Sequence, residues 1–253
     1  MRVLELWRYP VKSLQGEQLG AVGVTGDGLE GDRRFAIYDV ETGLGLTARR
    51  VPELLFASAR LRHDGSVDIT LPDGSLARDD GALSAWLGRR VALRSLDAEV
   101  PRRFENPVVD FERETERDWA PYEGAPGAFH DSPRARVSLV SAATIGEWDR
   151  RRFRSNVLLE GQGEDELVGS RVTLGDAVLE VEMRIERCVM TVRPQPGGIE
   201  RDLQVLRTIA RERDTRLAVG AVVRRPGRVV VGDALQAASS APESAESRRT
   251  TGA

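Results

Sequence analysis

Short alternations of apolar and polar residues, each closed by glycine, proline or aspartate, fill the first hundred positions of the chain. "RVLELWRY" (2–9), "RRFAIYD" (33–39), "LLFASARLR" (54–62) and "SVDITL" (66–71) read as strands. The stretches at 25–32, 41–45, 63–66 and 71–75 separate them with turn residues. "DDGALSAWLG" (79–88) reads as one helix ended by Gly88. Strands this short and this closely spaced suit a small barrel or a strongly curved sheet.

Residues 101–130 are rich in charge, proline and glycine, and their periodicity is poor. They read as a linker or long loop between two halves, serving as a lid, a binding loop or a solvated connection. The second half mixes element types. Strands are expected at 136–141, 156–161, 170–182, 218–225 and 227–233, with helices at 142–153 and 199–214. In the latter, Ile199, Leu203, Leu206 and Ala210 recur at helical spacing. Residues 237–253 lack apolar periodicity and are expected to be a disordered tail. The fold class is mainly β with a few helices (α+β), divided into 1–100, a connecting segment 101–130, and 131–236.

Composition narrows the function. No apolar run reaches the about 18 residues that a membrane helix needs. The N-terminus lacks the apolar core and cleavage site of a signal peptide. A single cysteine forms no internal disulfide and fits a reducing cytoplasm. A net charge of -3 does not suggest a nucleic-acid partner. Two histidines and one cysteine are too few for a zinc site of the Cys/His kind. Of the 37 basic residues, Lys12 is the only lysine. It is either a chance survivor of an arginine-biased composition or a position that needs a compact ammonium.

The candidate chemistry sits at the ends of strands. Lys12 and Ser13 leave the first strand and together can hold an oxyanion. Arg33 and Arg34 open another strand, and adjacent strand residues point to opposite faces, so one can face inward. Arg33 is the inward choice. Thr47, Arg49 and Arg50 repeat the theme, and Arg154 and Asn156 sit where a helix gives way to a strand. Singly, each is as readily a surface or loop contact. Together they make an anion pocket the better reading. Cys188 lies among Arg184, Arg187 and Arg193 in sequence. Positive charge favours the thiolate, the form that attacks an electrophile or binds a soft metal. The "RPQPGG" loop that follows feeds a helix whose first amides could face an anion. A buried core thiol is the plainer alternative.

In their order, "YPVKS", "GLEGDRRF", "TAR", "FRSNV" and "RCVMTVRPQPGGIERDL…RPGRVVVGD" resemble the MOSC-domain proteins with an N-terminal MOSC β-barrel, the group that includes the mitochondrial amidoxime-reducing component and its bacterial relatives. The resemblance runs from about residue 2 to residue 236. It implies a second, MOSC β-barrel over 131–236. It also implies binding of the molybdenum cofactor, a pterin dithiolene with a terminal phosphate. Cys188 matches the family's metal ligand. Lys12, Ser13 and Arg33 match positions that hold the pterin and its phosphate. Arg49 and Arg154 match further basic positions, with Asn156 beside them, and Ser132 lies near a segment that touches the cofactor. Ser155 replaces a usual proline, and Arg193 stands where an acidic residue is frequent. "LAVGAVV" lacks an aromatic that some relatives place near the metal.

The activity implied is cytoplasmic reduction of N-hydroxylated or N-oxide small molecules, with electrons from a separate reductase. One cysteine cannot ligate an iron–sulfur cluster, and no dinucleotide fingerprint appears. The alternative is a cofactor carrier or a sulfur-transfer protein like the C-terminal part of molybdenum cofactor sulfurases. Pyridoxal phosphate is not expected, because a Schiff base needs a lysine and Lys12 lies in another motif.

Overall fold

The computed structural model describes residues 1–97, 101–107 and 118–238. Strands dominate it, with α-helices at Asp80–Leu87, Ala142–Ile145 and Leu203–Arg213 among the described residues. The expected tail falls almost wholly on 239–253, outside the described residues.

The largest sheet has eight strands. Its order is Leu235–Ala237, Arg171–Leu174, Ala177–Glu186, Arg216–Arg225, Val137–Ser141, Val157–Leu159, Val3–Arg8, Glu17–Leu19. All of its pairings are antiparallel except Val137–Ser141 with Val157–Leu159. Two N-terminal strands thus complete a sheet built mostly from the second half. Ala21–Thr25 likewise pairs with Gly227–Val230. Val3, Leu6, Val22, Val137, Leu139, Leu179, Val181 and Val219 share one core beneath this sheet.

A second core gathers Val11, Leu14, Phe35, Ile37, Leu54, Leu55 and Ile69 in the N-terminal half. Two strands buried along their whole length feed two cores at once. Phe35 and Ile37 enter this core, while Ala36 and Tyr38 face Phe104 and Phe129. Similarly, Val137 and Leu139 face the large sheet's core, while Val140 packs with Val205, Leu206 and Ile209 of the last helix. Burial on both faces explains why small or apolar residues fill Phe35–Tyr38 and why the polar side chains of Val137–Ser141 are serines alone.

Several expected elements are shorter or split. Pro52–Phe56 is a 3-10 turn, so the expected strand 54–62 shrinks to Ser58–Leu61. The expected helix 142–153 stops at Ile145, where Gly146 takes a positive φ, and resumes only as a 3-10 turn at Arg150–Arg152. The expected strand 170–182 is a hairpin of Arg171–Leu174 and Ala177–Glu186, folded at Gly175 and Asp176. The helix expected at 199–214 begins at Leu203, because Asp202 caps it by accepting from Gln204 N at 2.8 Å. Within the segment read as a loop, Arg103–Pro107 pairs with Trp119–Glu123. Phe104 anchors that hairpin, fully buried against the backbone of Gly45, where any side chain would collide with its ring.

Candidate functional site

Three turns converge at the end of the first strand. Tyr9 N donates to Asp32 Oδ1 at 2.7 Å, and Arg33 N donates to Tyr9 O at 2.8 Å. Ser13 Oγ accepts from Ala48 N at 3.0 Å, which ties the "VKS" turn to the "TAR" turn. Arg154 Nη1 donates to Leu14 O at 2.5 Å, and Arg33 Nη2 reaches Arg154 O at 3.4 Å. The Tyr9 ring lies between the two guanidiniums, 4.4 Å from Arg154 Cζ and 5.3 Å from Arg33 Cζ.

The backbone here is strained. Ser13, Arg33 and Arg154 have φ of 72, 50 and 51°. A side-chain-bearing residue in this left-handed region costs about 1–2 kcal/mol. Such outliers cluster where a structure holds a working geometry. Among the described residues, half of the six non-glycine residues with positive φ are these three, all expected on sequence grounds to hold an oxyanion.

Arg33 and Arg34 separate, but not by strand alternation: the expected strand 33–39 begins only at Phe35, and Arg33 sits before it in a turn with φ 50°. Arg33 pairs with Asp32 beside Arg154, while Arg34 reaches Asp97 at the surface at 2.7 Å. Lys12 is 5% exposed. Its ammonium donates to Phe129 O at 3.1 Å, pairs with Asp131, and sits 4.6 Å from the Phe104 ring centroid. Asp131 lies at the protein surface and also accepts from Tyr122 Oη at 3.2 Å.

Cys188 is half-buried and unbonded to any other sulfur. It precedes the 3-10 turn Val189–Val192, and its carbonyl accepts from Thr191 N and Oγ1. Cys188 follows Arg187 directly, and Phe153, whose carbonyl that guanidinium bonds, precedes Arg154, so the turn that carries the thiol adjoins the same cluster. Arg187 donates from Nε to Leu217 O at 2.7 Å and from Nη1 to Phe153 O at 3.0 Å. Its Nη2 is buried without a hydrogen-bond partner among the described residues.

The electrostatics are those of crowded cations. Burial lowers the Arg154 and Arg187 guanidiniums to about 10 each. Burial also lowers the Lys12 ammonium, against the pull of Asp131, with Arg33 and Arg154 adding to the decrease. Lys12, Arg33, Arg154 and Arg187 meet two carboxylates, Asp32 and Asp131. An anion would relieve that excess, and the neighbouring thiol offers a soft ligand.

The remaining expected residues divide. Arg49 Nη1 donates to Asn106 Oδ1 at 2.7 Å, and its carbonyl accepts from Arg193 Nη2 at 2.8 Å, so it lies beside the post-cysteine loop. Asn156 is a buried latch. Its Oδ1 accepts from Ser138 N and Oγ, and its Nδ2 donates to Trp7 O and Asp32 Oδ2. Every polar atom of its amide is used inside the protein. Ser132 Oγ accepts from Arg134 N at 3.2 Å in its own turn, outside the network around Arg33 and Arg154. Sequence reasoning passed over Tyr9, Asp32, Tyr122, Asp131 and Arg187 as site residues. Tyr9, Asp32 and Arg187 lie inside or next to motifs already singled out, and that adjacency was the available signal.

The fold is that of a mainly β protein whose largest sheet takes strands from both halves, and its one cysteine lies in a turn next to a cluster of arginines. The chain matches the MOSC N-terminal beta barrel domain over residues 1–100 and the MOSC domain over residues 126–236. It belongs to the MOSC-domain proteins that carry this N-terminal barrel.

Among curated proteins it is 26% identical over 251 residues to a molybdenum cofactor sulfurase of Drosophila grimshawi, covering 88% of this chain and 32% of that protein. It is also 26% identical over 234 residues to mitochondrial amidoxime reducing component 2 of Bos taurus, covering 79% of this chain and 68% of that one. The chain thus spans about a third of the sulfurase's length. Among solved structures, the YUAD protein from Bacillus subtilis matches at TM-score 0.42 and 14% identity, covering 92% of both chains. YiiM from Geobacillus stearothermophilus matches at TM-score 0.34 and 16% identity over 41% of this chain and 54% of that one. No helix of the described residues is long and apolar enough to cross a membrane.

Proposed function

We propose that the chain binds the molybdenum cofactor and reduces N-hydroxylated or N-oxide small molecules in the cytoplasm, with electrons from a separate reductase. One observation carries this reading: the single cysteine of the chain, Cys188, follows Arg187 at a cluster in which four cations meet two carboxylates, Asp32 in the interior and Asp131 at the surface. The family match and the likeness to an amidoxime reducing component support it.

When bound, the cofactor supplies the two-electron chemistry. The protein's share is placement. Cys188 offers the thiolate to the metal. Arg33, Arg154 and Arg187 neutralise anionic charge, and Lys12 offers an ammonium to the phosphate. Ser13 orders the turn that carries Lys12. Arg49 extends the basic rim, and Ser132 is retained as an outer contact. Asn156 acts from behind, through Asp32. We propose the same organisation as expected from sequence, 1–100 and 131–236 joined by 101–130, with strands of the first lent to the sheet of the second.

Metal analysis by inductively coupled plasma, on protein from a cofactor-competent host, tests the reading. About one molybdenum per chain is expected, and a content near zero sinks it. The likeness to a sulfurase over 88% of this chain favours a second reading, a carrier or sulfur-transfer protein using Cys188. An amidoxime assay with a viologen donor separates the two. Turnover supports the reductase, and stoichiometric release of cofactor without turnover supports the carrier.

A further inference from the structure

Asp32 is 2% exposed, and its carboxylate takes partners from two separate segments and from its own turn. Oδ1 accepts from Tyr9 N at 2.7 Å, Oδ2 accepts from Asn156 Nδ2 at 3.0 Å, and the Arg33 guanidinium closes an ion pair on it. Those segments carry Lys12 and Ser13, Arg33 itself, and Arg154. A buried carboxylate is costly unless fully bonded. This one spends its bonds on fixing the chain positions from which the cations project. It also sorts the arginine doublet, since Arg33 pairs with it while Arg34 turns to Asp97.

We propose that Asp32 is a positioning residue of the anion site: it locks the three cation-bearing turns in one register and aims the Arg33 guanidinium at a phosphate-bearing ligand. The proposal rests on the cofactor reading for the identity of that ligand. Its own content is narrower and has a sign. A carboxylate that merely neutralised Arg33 would weaken anion binding, so its removal would tighten it. A positioning carboxylate does the reverse. Without it, Arg33, Arg154 and Lys12 repel one another out of alignment, and anion affinity falls.

The probe is inorganic pyrophosphate, titrated calorimetrically into cofactor-free full-length protein at low salt. Wild type binds, and the near-isosteric Asp32→Asn binds at least tenfold more weakly with an unchanged circular dichroism spectrum. Arg33→Gln also weakens binding, and the Asp32→Asn, Arg33→Gln double variant loses less than the sum of the two single losses, because Asp32 acts in part through Arg33. If Asp32→Asn does not fold, Asp32→Glu keeps the charge, displaces the carboxylate by one methylene and shows the same loss. Equal or tighter binding by the Asp32 variants, additive losses in the double variant, or no binding by wild type overturns the proposal. Molybdenum content of the wild type, measured separately, decides the cofactor reading. A protein without metal that still shows this pattern keeps the positioning role, and a molybdenum-loaded protein without the pattern loses only that role.

Discussion

The two walls of the candidate site are built differently. The N-terminal wall, formed by the turns around Tyr9, Arg33 and Asn156, is strained yet closely bonded: Asp32 and Asn156 use every polar side-chain atom they have. The wall around Cys188 is looser. Its thiol is half-buried, and Arg187 Nη2 is a buried donor with no acceptor among the described residues. A donor left so costs about 1–3 kcal/mol. The first wall holds an orphan too, Ser155 Oγ, but its carboxylate and amide are fully paired by folding, whereas the orphan of the second is a charged donor that a bound anion would satisfy. Damage to the first should cost stability whether or not cofactor is present, and damage to the second should cost the cofactor.

Cys188→Ser tests that contrast most sharply. Molybdenum content should fall to background, because a hydroxyl is a poor stand-in for thiolate on this metal. The melting temperature of the cofactor-free protein should move by no more than about 3 °C. Wild-type metal content in the variant would make Cys188 a core residue.

Asn156→Ala should do the opposite. It takes their side-chain partner from Ser138 N and Trp7 O in the interior and one of two donors from Asp32 Oδ2, which keeps the Arg33 ion pair. The expected cost is about 3–4 kcal/mol, read in urea unfolding of cofactor-free protein. A cost seen only with cofactor bound would reverse the assignment of the two walls.

Acid should loosen the first wall as well. His130 is buried, its Nε2 donates to Asp27 O at 2.9 Å, and burial, with Arg33 adding, lowers it to about 4. The unfolded chain then binds the proton more tightly, so stability rises with pH between about 4 and 6.5. On going down from pH 7 to pH 4 this one residue should remove about 3 kcal/mol. His130→Gln should abolish that share of the slope, and identical pH profiles for the two proteins would show the imidazole to be uninvolved.

The smallest expected effect comes from the ammonium proposed to meet the cofactor from the first wall. Lys12→Arg keeps the charge, but the space between the Phe104 ring, Phe129 O and Asp131 is cut for a narrow ammonium. Cofactor occupancy should drop about tenfold, or about 1.4 kcal/mol. Unchanged occupancy would make the lone lysine an accident of composition.

Much of this was legible in the chain. Alternating strands, the Gly88 stop and the amphipathic last helix are local signals, and local physics decides them. The hairpin through Phe104 was hidden because one buried aromatic in a charged stretch makes no period. The end of the 142–153 helix was legible in principle, since Gly146 marks it. The Gly175 and Asp176 turn that splits the 170–182 strand was equally available. The left-handed φ at Ser13, Arg33 and Arg154 was not legible, because it comes from long-range bonds to Ala48, Tyr9 and Leu14. For the same reason Asp32 read as turn punctuation. Its three partners lie at positions 9, 33 and 156.

The pairing of Val3 with Leu159 sets a timetable for the chain during its own synthesis. The first strand leaves the ribosome with its neighbour in the large sheet still uncoded in protein. At about 5–20 residues per second, it waits on the order of ten seconds or more before that neighbour emerges. Glu17–Leu19 can cover one edge of the strand early, but through that interval the edge that Val157–Leu159 will take stays open, and Val3 and Leu6 have no sheet core to enter.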